Sequence, residues 1–202
     1  MSGFFKVNDY YSEEVCGFEI PRIWWSRTRE YPWAIQYAKG IVADMGAGWM
    51  GRPFKNALCK KCESVYAVDI DPRINDLERW ENLIYITADF TKKIDAIPSH
   101  SLDRVFCISV LEDLGGNLEK ALAEFKRVLK PDGLMVITMD IQYDITKPLG
   151  KYPGGSINEL LTACAHLGLQ FADDIDFSKE DAVFHSDYNL CAFHCVLENA
   201  SE

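Results

Sequence analysis

The 202-residue sequence contains no apolar run long enough to span a membrane. Its opening, "MSGFFKVNDYYSEEVC", carries acids where a secretory segment needs an apolar stretch. The expectation is a cytoplasmic protein without a membrane partner. Clustered positive charge is missing too. Lys and Arg number 21 against 31 Asp and Glu, a net charge of −10, and no basic cluster exceeds "CKKC" or "TKK". Gripping a phosphate backbone takes a basic stripe, so no nucleic-acid partner is expected. Repeats and low-complexity tracts are absent. The 7 cysteines are an odd count, scattered through apolar segments such as "VFCISV" and "NLCAFHCVL". That pattern fits buried free thiols in a reducing compartment better than a disulfide framework. Cys59 and Cys62 form a C-x-x-C, but no second pair and no nearby histidine accompany it, so no metal is expected.

What is present fits one domain. Hydrophobic residues make up 48% and charged residues 26%, enough at this length to bury a core. From Gly40 onward short apolar runs alternate with helical patterns. The strand candidates are "IVADM" (41–45), "SVYAVD" (64–69), "LIYITA" (83–88), "DRVFCIS" (103–109) and "LMVITM" (134–139). Between them "RPFKNALCKKC", "RINDLERW" and "LEKALAEFKRVL" read as helices, the last with Leu118, Leu122, Phe125 and Leu129 at helical spacing. Pro131 and Gly133 close it. Strands alternating with helices predict parallel βαβ units and a doubly wound α/β sheet.

The two ends depart from this rhythm. After the helix pattern "SINELLTACAHLGL", the runs "QFADDIDF" and "YNLCAFHCVLEN" follow with no helix between them, which predicts an antiparallel hairpin at a sheet edge. Ahead of the first strand, "RIWWSRTREYPWAIQYAKG" packs aromatics and arginines together. Residues 1–39 read as an aromatic cap on a core spanning 40–197, the whole chain forming a single domain. Trp24, Trp25 and Trp33 either sit at the mouth of the site or simply cover the sheet edge.

Gly46, Gly48 and Gly51 spell G-x-G-x-x-G, with Asp69 downstream as a ribose-binding acid; by pattern alone this is a nicotinamide-dependent oxidoreductase. Asp44 opposes that reading. At the end of the first strand it faces the crevice where a diphosphate would lie, and a carboxylate there suits an ammonium or sulfonium group instead.

"VADMGAG" resembles the first motif of the class I S-adenosylmethionine-dependent methyltransferases, and the likeness continues in order through "VYAVDIDP", "ITADF", "DRVFCISVLEDLGG" and "FKRVLKPDGLMVIT", covering roughly 40–197. The resemblance implies a Rossmann-like, mostly parallel seven-stranded sheet of order 3-2-1-4-5-7-6, with the last strand antiparallel and helices on both faces. It implies S-adenosylmethionine as cofactor, held by Asp44, Gly46, Ala47, Gly48, Asp69, Ile70, Asp89, Phe90 and Ser109. Asp69 would take the ribose hydroxyls, Asp89 the adenine amino group and Phe90 the ring. Two departures stand out. The family's third glycine falls at Met50 here, so that Trp49 or Met50 is expected to lean over the ligand. The family's histidine after "L-E" is Asp113.

Methyl transfer from a sulfonium is a direct displacement, in which alignment does most of the work and a base within reach assists an oxygen or nitrogen nucleophile. Candidates for that base are Glu112 and Asp113 after the fourth strand, Asp140 and Tyr143 after the fifth, and His185 in the terminal hairpin loop. Arg27, Arg29, Glu30 and Tyr31 of "SRTREYPW" are candidates to hold a small-molecule substrate. The loop "MDIQYDITKPLGKYPGGS", rich in proline and glycine, reads as a mobile lid. Three other readings remain open: a nicotinamide-dependent oxidoreductase; an aminopropyltransferase on the same scaffold; and a protein that binds S-adenosylmethionine without turnover.

Overall fold

Alternation along the strands sets the layers. The computed structural model describes residues 1–48, 51–76 and 79–200. The chain begins with β1 (Ser2–Phe4), a small hairpin of β2 (Glu14–Val15) and β3 (Phe18–Glu19), and helix α1 (Arg27–Ala34). The βα succession follows: β4 (Ile41–Met45), α2 (Arg52–Lys61), β5 (Ser64–Asp69), β6 (Leu83–Thr87), β7 (Leu102–Ile108), α3 (Leu118–Val128), β8 (Leu129–Gln142) and α4 (Ile157–Leu167). Four further strands end it: β9 (Leu169–Phe171), β10 (Ile175–Asp176), β11 (Phe184–His185) and β12 (Leu190–Asn199). On β4, Ala43 and Met45 face the layer that α3 and α4 cover, with Phe125 and Leu160 at its centre. Val42 faces the other layer, where Tyr31 of α1 and Phe54 and Leu58 of α2 pack. Period-two alternation therefore puts Asp44 on the α1/α2 side.

The sheet runs β6-β5-β4-β7-β8-β12. Its pairs are parallel except for β12, which is antiparallel to β8 over Leu190–Leu197. Counted from β4 this is order 3-2-1-4-5-7, as the motifs imply. The sixth position differs. β9 pairs with β12 only at Leu197–Asn199, and then the N-terminal strand β1 takes the place beside β12, with Gly3 opposite His194 and β10 parallel outside it. Local chemistry explains the split. The acids of "ADD" turn to the N-terminal strand: Asp173 accepts the Ser2 hydroxyl at 2.6 Å, and the Asp174 carbonyl accepts the Ser2 amide at 2.8 Å. A side chain at Gly3 would meet the Asp176 carbonyl oxygen at 2.6 Å, so only glycine lets these strands approach.

Helix ends follow their capping residues. Ser156 caps α4 by accepting the Glu159 amide, and Gly168 ends it at φ 61°. α3 stops at Val128 ahead of Pro131, whose missing N–H and ring clash forbid continuation. The expected helix over "RINDLERW" is only a tight turn at Pro72–Asp76, where Asp71 caps the Arg73 amide at 3.0 Å; Leu77 and Glu78 lie outside the described residues. Among the described residues no helix is long and apolar enough to cross a membrane. All seven cysteines are free and six are buried. Cys59 and Cys62 sit against the α2 layer, burial pushing their thiols up to about 11 and about 12.

Candidate active site

At the carboxyl end of β4 the chain must leave the sheet sharply. Gly46 does so at φ 81°, and its amide and that of Ala47 both donate to the Val68 carbonyl, at 2.8 and 3.0 Å. Gly48 follows at φ 57° and donates its amide to the Asp69 carboxylate at 2.8 Å. The third glycine has its own reason. A Cβ at Gly51 would meet the Ala47 carbonyl oxygen at 2.1 Å, so the turn closes only with glycine there. Trp49 and Met50, expected to lean over the ligand, lie outside the described residues.

A cavity of about 430 Å³ opens above this turn. Asp44, Gly46, Ala47, Gly48, Ser109, Glu112 and Asp140 form its floor with Asp113 at the rim, and Trp24, Trp25, Arg27 and Tyr31 come down from the N-terminal segment. Tyr152, Pro153 and Tyr188 close the remaining side. The N-terminal aromatics thus divide: Trp24 and Trp25 line the site, while Trp33 packs against Phe5 and His194.

One charged network ties wall to floor. Glu30 has 0% exposure; its carboxylate accepts from the Arg27 guanidinium, from the Ser26 hydroxyl at 3.1 Å and from the Ser109 hydroxyl at 2.7 Å. Ser109, held at φ 47°, donates its amide to the Thr138 carbonyl at 3.0 Å. Burial works against the Arg27 charge, but Glu30, Tyr31 and Asp140 more than offset it. Tyr31 stacks on Phe54 at 5.0 Å, and burial pushes its hydroxyl up to about 12.

The floor acids are held toward neutrality. Burial raises Asp44 to about 7, with Asp69 pushing the same way and Lys55 and Arg27 pulling it down. Asp140 is raised to about 7 by burial and then by Glu30, while Arg27 and the Trp25 side chain favour its ionised form. Glu112 is raised well above the carboxylate range by burial and then by Asp140. Its Oε1 accepts the Asp140 amide at 3.1 Å. Glu112 Oε2 and Asp140 Oδ1 are buried and have no hydrogen-bond partner among the described residues. Asp113 is exposed at the rim, its carboxyl raised by partial burial.

Other candidates lie elsewhere. Tyr143 does not line the cavity; its ring packs tilted against Phe184 at 4.4 Å and meets Lys179. His185 sits behind the wall, stacked on Tyr188 at 4.0 Å with Trp25 edge-on at 5.5 Å. Arg29 points to the Val7 carbonyl and the Tyr11 ring, and Glu30 lies beneath the cavity instead of in it. Asp69 bonds Gly48 at the edge of the turn, and Ile70 is 70% exposed beyond it. Asp89 accepts from the Thr91 amide and hydroxyl and from Lys92, contacts that hold it down to about 2. Phe90 corrects an expectation: its ring is buried in the core against Phe125 at 5.5 Å, because the adjacent layer needs an apolar filler. Missed from the sequence were Tyr188, whose place in an interstrand loop carries no pattern, and Lys55. The signal for Lys55 was a lysine within the apolar stretch of α2; it is 1% exposed and lies over the Tyr85 ring.

Residues 43–137 match the family model described as a methyltransferase domain. Among solved structures the chain resembles an S-adenosylmethionine-dependent methyltransferase from Aquifex aeolicus, at 21% identity over 85% of this chain and 92% of that one, TM-score 0.60. A second, from Clostridium acetobutylicum, is 12% identical over 81% and 85%, TM-score 0.59. The [4+2]-cyclase SpnF is 13% identical over 97% and 89%, TM-score 0.67. At these identities the likeness is one of fold, and a cyclase among them shows that the fold alone does not set the reaction. No curated protein matches the chain in sequence. The family model, which runs from the first core strand into the fifth, and the strand order around it mark residues 43–137 as a methyltransferase domain of the kind that uses S-adenosylmethionine.

Proposed function

We propose that the enzyme methylates a small-molecule acceptor inside the cavity, the whole chain acting as one unit with residues 1–39 covering the site. The observation that carries this reading is a walled cleft. A cavity of about 430 Å³, walled by Trp24, Trp25, Tyr152 and Tyr188, has the size and aromatic lining of a small-ligand site. The net charge of −10 speaks against a nucleic-acid substrate.

The residues present suit the cofactor. Four lining carboxyl groups face one lining guanidinium, a balance that favours a cationic ligand. When bound, S-adenosylmethionine supplies a methyl group on a positively charged sulfur. Asp44 would balance that positive end, and Gly46, Ala47 and Gly48 would let backbone come close to it. Asp69 and Ile70 would take the ribose and Asp89 the adenine. Ser109 holds the floor through Glu30. Trp24, Trp25 and Tyr31 exclude water and orient the acceptor, which is where alignment is gained.

The test uses a cell extract split by dialysis into small-molecule and macromolecular fractions, each incubated with enzyme and donor carrying a tritiated methyl group. Label is expected in the small-molecule fraction. Label confined to the macromolecular fraction would overturn the acceptor class, and label in neither would overturn turnover.

A further inference from the structure

The charge lining the cavity is lopsided in a way the cofactor alone does not use. Arg27 is already paired with the buried Glu30, which leaves Asp44, Glu112, Asp113 and Asp140 as the surplus. Asp44 belongs to the glycine turn. Glu112 and Asp140 stand on the other side, at the ends of β7 and β8, joined by one hydrogen bond from the Asp140 amide to Glu112 Oε1 at 3.1 Å. The second oxygen of Glu112 and Oδ1 of Asp140 are each shut from solvent without a hydrogen-bond partner among the described residues.

Once ionised, as a cationic ligand would favour, both carboxyl groups only accept, so what both oxygens then lack is a donor. Buried polar atoms are rarely left unmatched, so the pair is short of donors as it stands. A hydroxyl brings one donor and no charge, and an anion is repelled. A protonated amine brings up to three donors and a positive charge, and Trp24 and Trp25 line the same cavity.

We infer that the methyl acceptor is an amine, its nitrogen held by Glu112 and Asp140, with the Asp140 carboxylate taking its proton. This rests on the reading above that transfer takes place in this cavity. The ammonium form gives one proton to Asp140 and so frees its lone pair. That pair forms the new N–C bond while the C–S bond breaks and its electrons remain on sulfur, leaving a neutral thioether and a methylated ammonium. The raised proton affinity of Asp140, which Glu30 increases and Arg27 and Trp25 reduce, matches it to such an exchange near neutral pH. Asp113 at the rim adds to the local negative potential.

The experiment is calorimetric. S-adenosylhomocysteine is titrated first, and failure at that step overturns the cofactor placement along with the inference. Phenethylamine, phenethyl alcohol and phenylacetate are then titrated into the loaded protein. Phenethylamine is expected to bind at least ~10-fold tighter than the alcohol, with phenylacetate weakest. Asp140→Asn and Glu112→Gln, which keep side-chain shape, are expected to shrink that preference. Equal binding of amine and alcohol, tighter binding of phenylacetate, or no amine binding at millimolar concentration would each overturn the amine while leaving methyl transfer intact. A preference unchanged in both variants would remove the acid pair from it. The comparison in the unaltered protein stands even if a variant fails to fold.

Discussion

The Ser109 hydroxyl donates to the Glu30 carboxylate across 2.7 Å, joining two residues that stand 79 positions apart. That bond fastens α1 to the end of β7 and leaves Arg27, on the preceding turn, facing the cavity. Glu30→Ala strips the buried partner from Arg27, and breaking a buried pair from one side costs ~3–5 kcal/mol. Urea unfolding checks this. Glu30→Gln is expected to lose less, since the amide oxygen still accepts from Ser109. Equal stability of Glu30→Ala and the parent would show that the network holds nothing.

The glycine turn has little room. A Cβ at Gly46 would lie 2.6 and 2.8 Å from the two Val110 methyls, on a backbone at φ 81°. Gly46→Ala therefore meets a clash and a left-handed penalty of ~1–2 kcal/mol. Affinity for S-adenosylhomocysteine is expected to fall by ~10-fold or more. Adding Val110→Ala should recover the part due to crowding and leave the backbone part. Full affinity in the single variant would place the cofactor elsewhere.

Asp69 accepts the Gly48 amide with one oxygen and the Asp71 amide with the other, each at 2.8 Å. Asp69→Ala is expected to weaken S-adenosylhomocysteine binding by ~1.5–3 kcal/mol, the scale of hydrogen bonds to a charged group. Calorimetry on a variant shown to be folded measures it. Unchanged affinity would sink the ribose assignment.

Stability should fall as the pH rises. Asp44 and Asp140 move from 3.8 to about 7 on folding, so between those values the folded state keeps protons that the unfolded chain has released. Their contribution is greatest near about pH 4 and is lost as the pH rises to about 7. His194 opposes this. Held between Phe5 and Trp33, it drops from 6.5 to about 4, so it favours the fold increasingly from about pH 4 to about 6.5. Two acids, with Glu112 acting in the same direction, outweigh one histidine. The melting midpoint of the ligand-free protein is expected to drop between about pH 5 and about pH 8, where ~1 kcal/mol corresponds to roughly 2–4 °C for a chain of this size. Asp140→Asn should flatten the drop and His194→Gln should steepen it. A midpoint that rises over this interval would contradict the burial of these acids.

The order of the sheet was legible because each strand and its following turn are local. "IVADMGAG" and "KRVLKPDGLMVIT" signal a strand end and a helix stop through period-two alternation, glycine and proline alone. The site was legible where it hangs on those turns, at Asp44, Gly46 and Gly48. The pairing of "QFADDIDF" was not, since its acids bond Ser2 from the other end of the chain. The aromatic place expected for Phe90 failed for a similar reason: motif position says which loop a residue enters, and packing decides which way its ring turns.

The sequence by itself determined the fold class, the glycine turn and the acidic character of the crevice, since these follow from chirality, residue period and charge within a few neighbouring residues. Tertiary structure decided which of several eligible groups meet. It brought Arg27, Asp44, Glu112 and Asp140 to one cavity from four separate parts of the chain, and turned Tyr143, Arg29 and Phe90 away from it. Burial then raised the carboxyl groups of Asp44, Glu112 and Asp140, because desolvation depends on what lies around a residue in space, and no spacing along the chain records that.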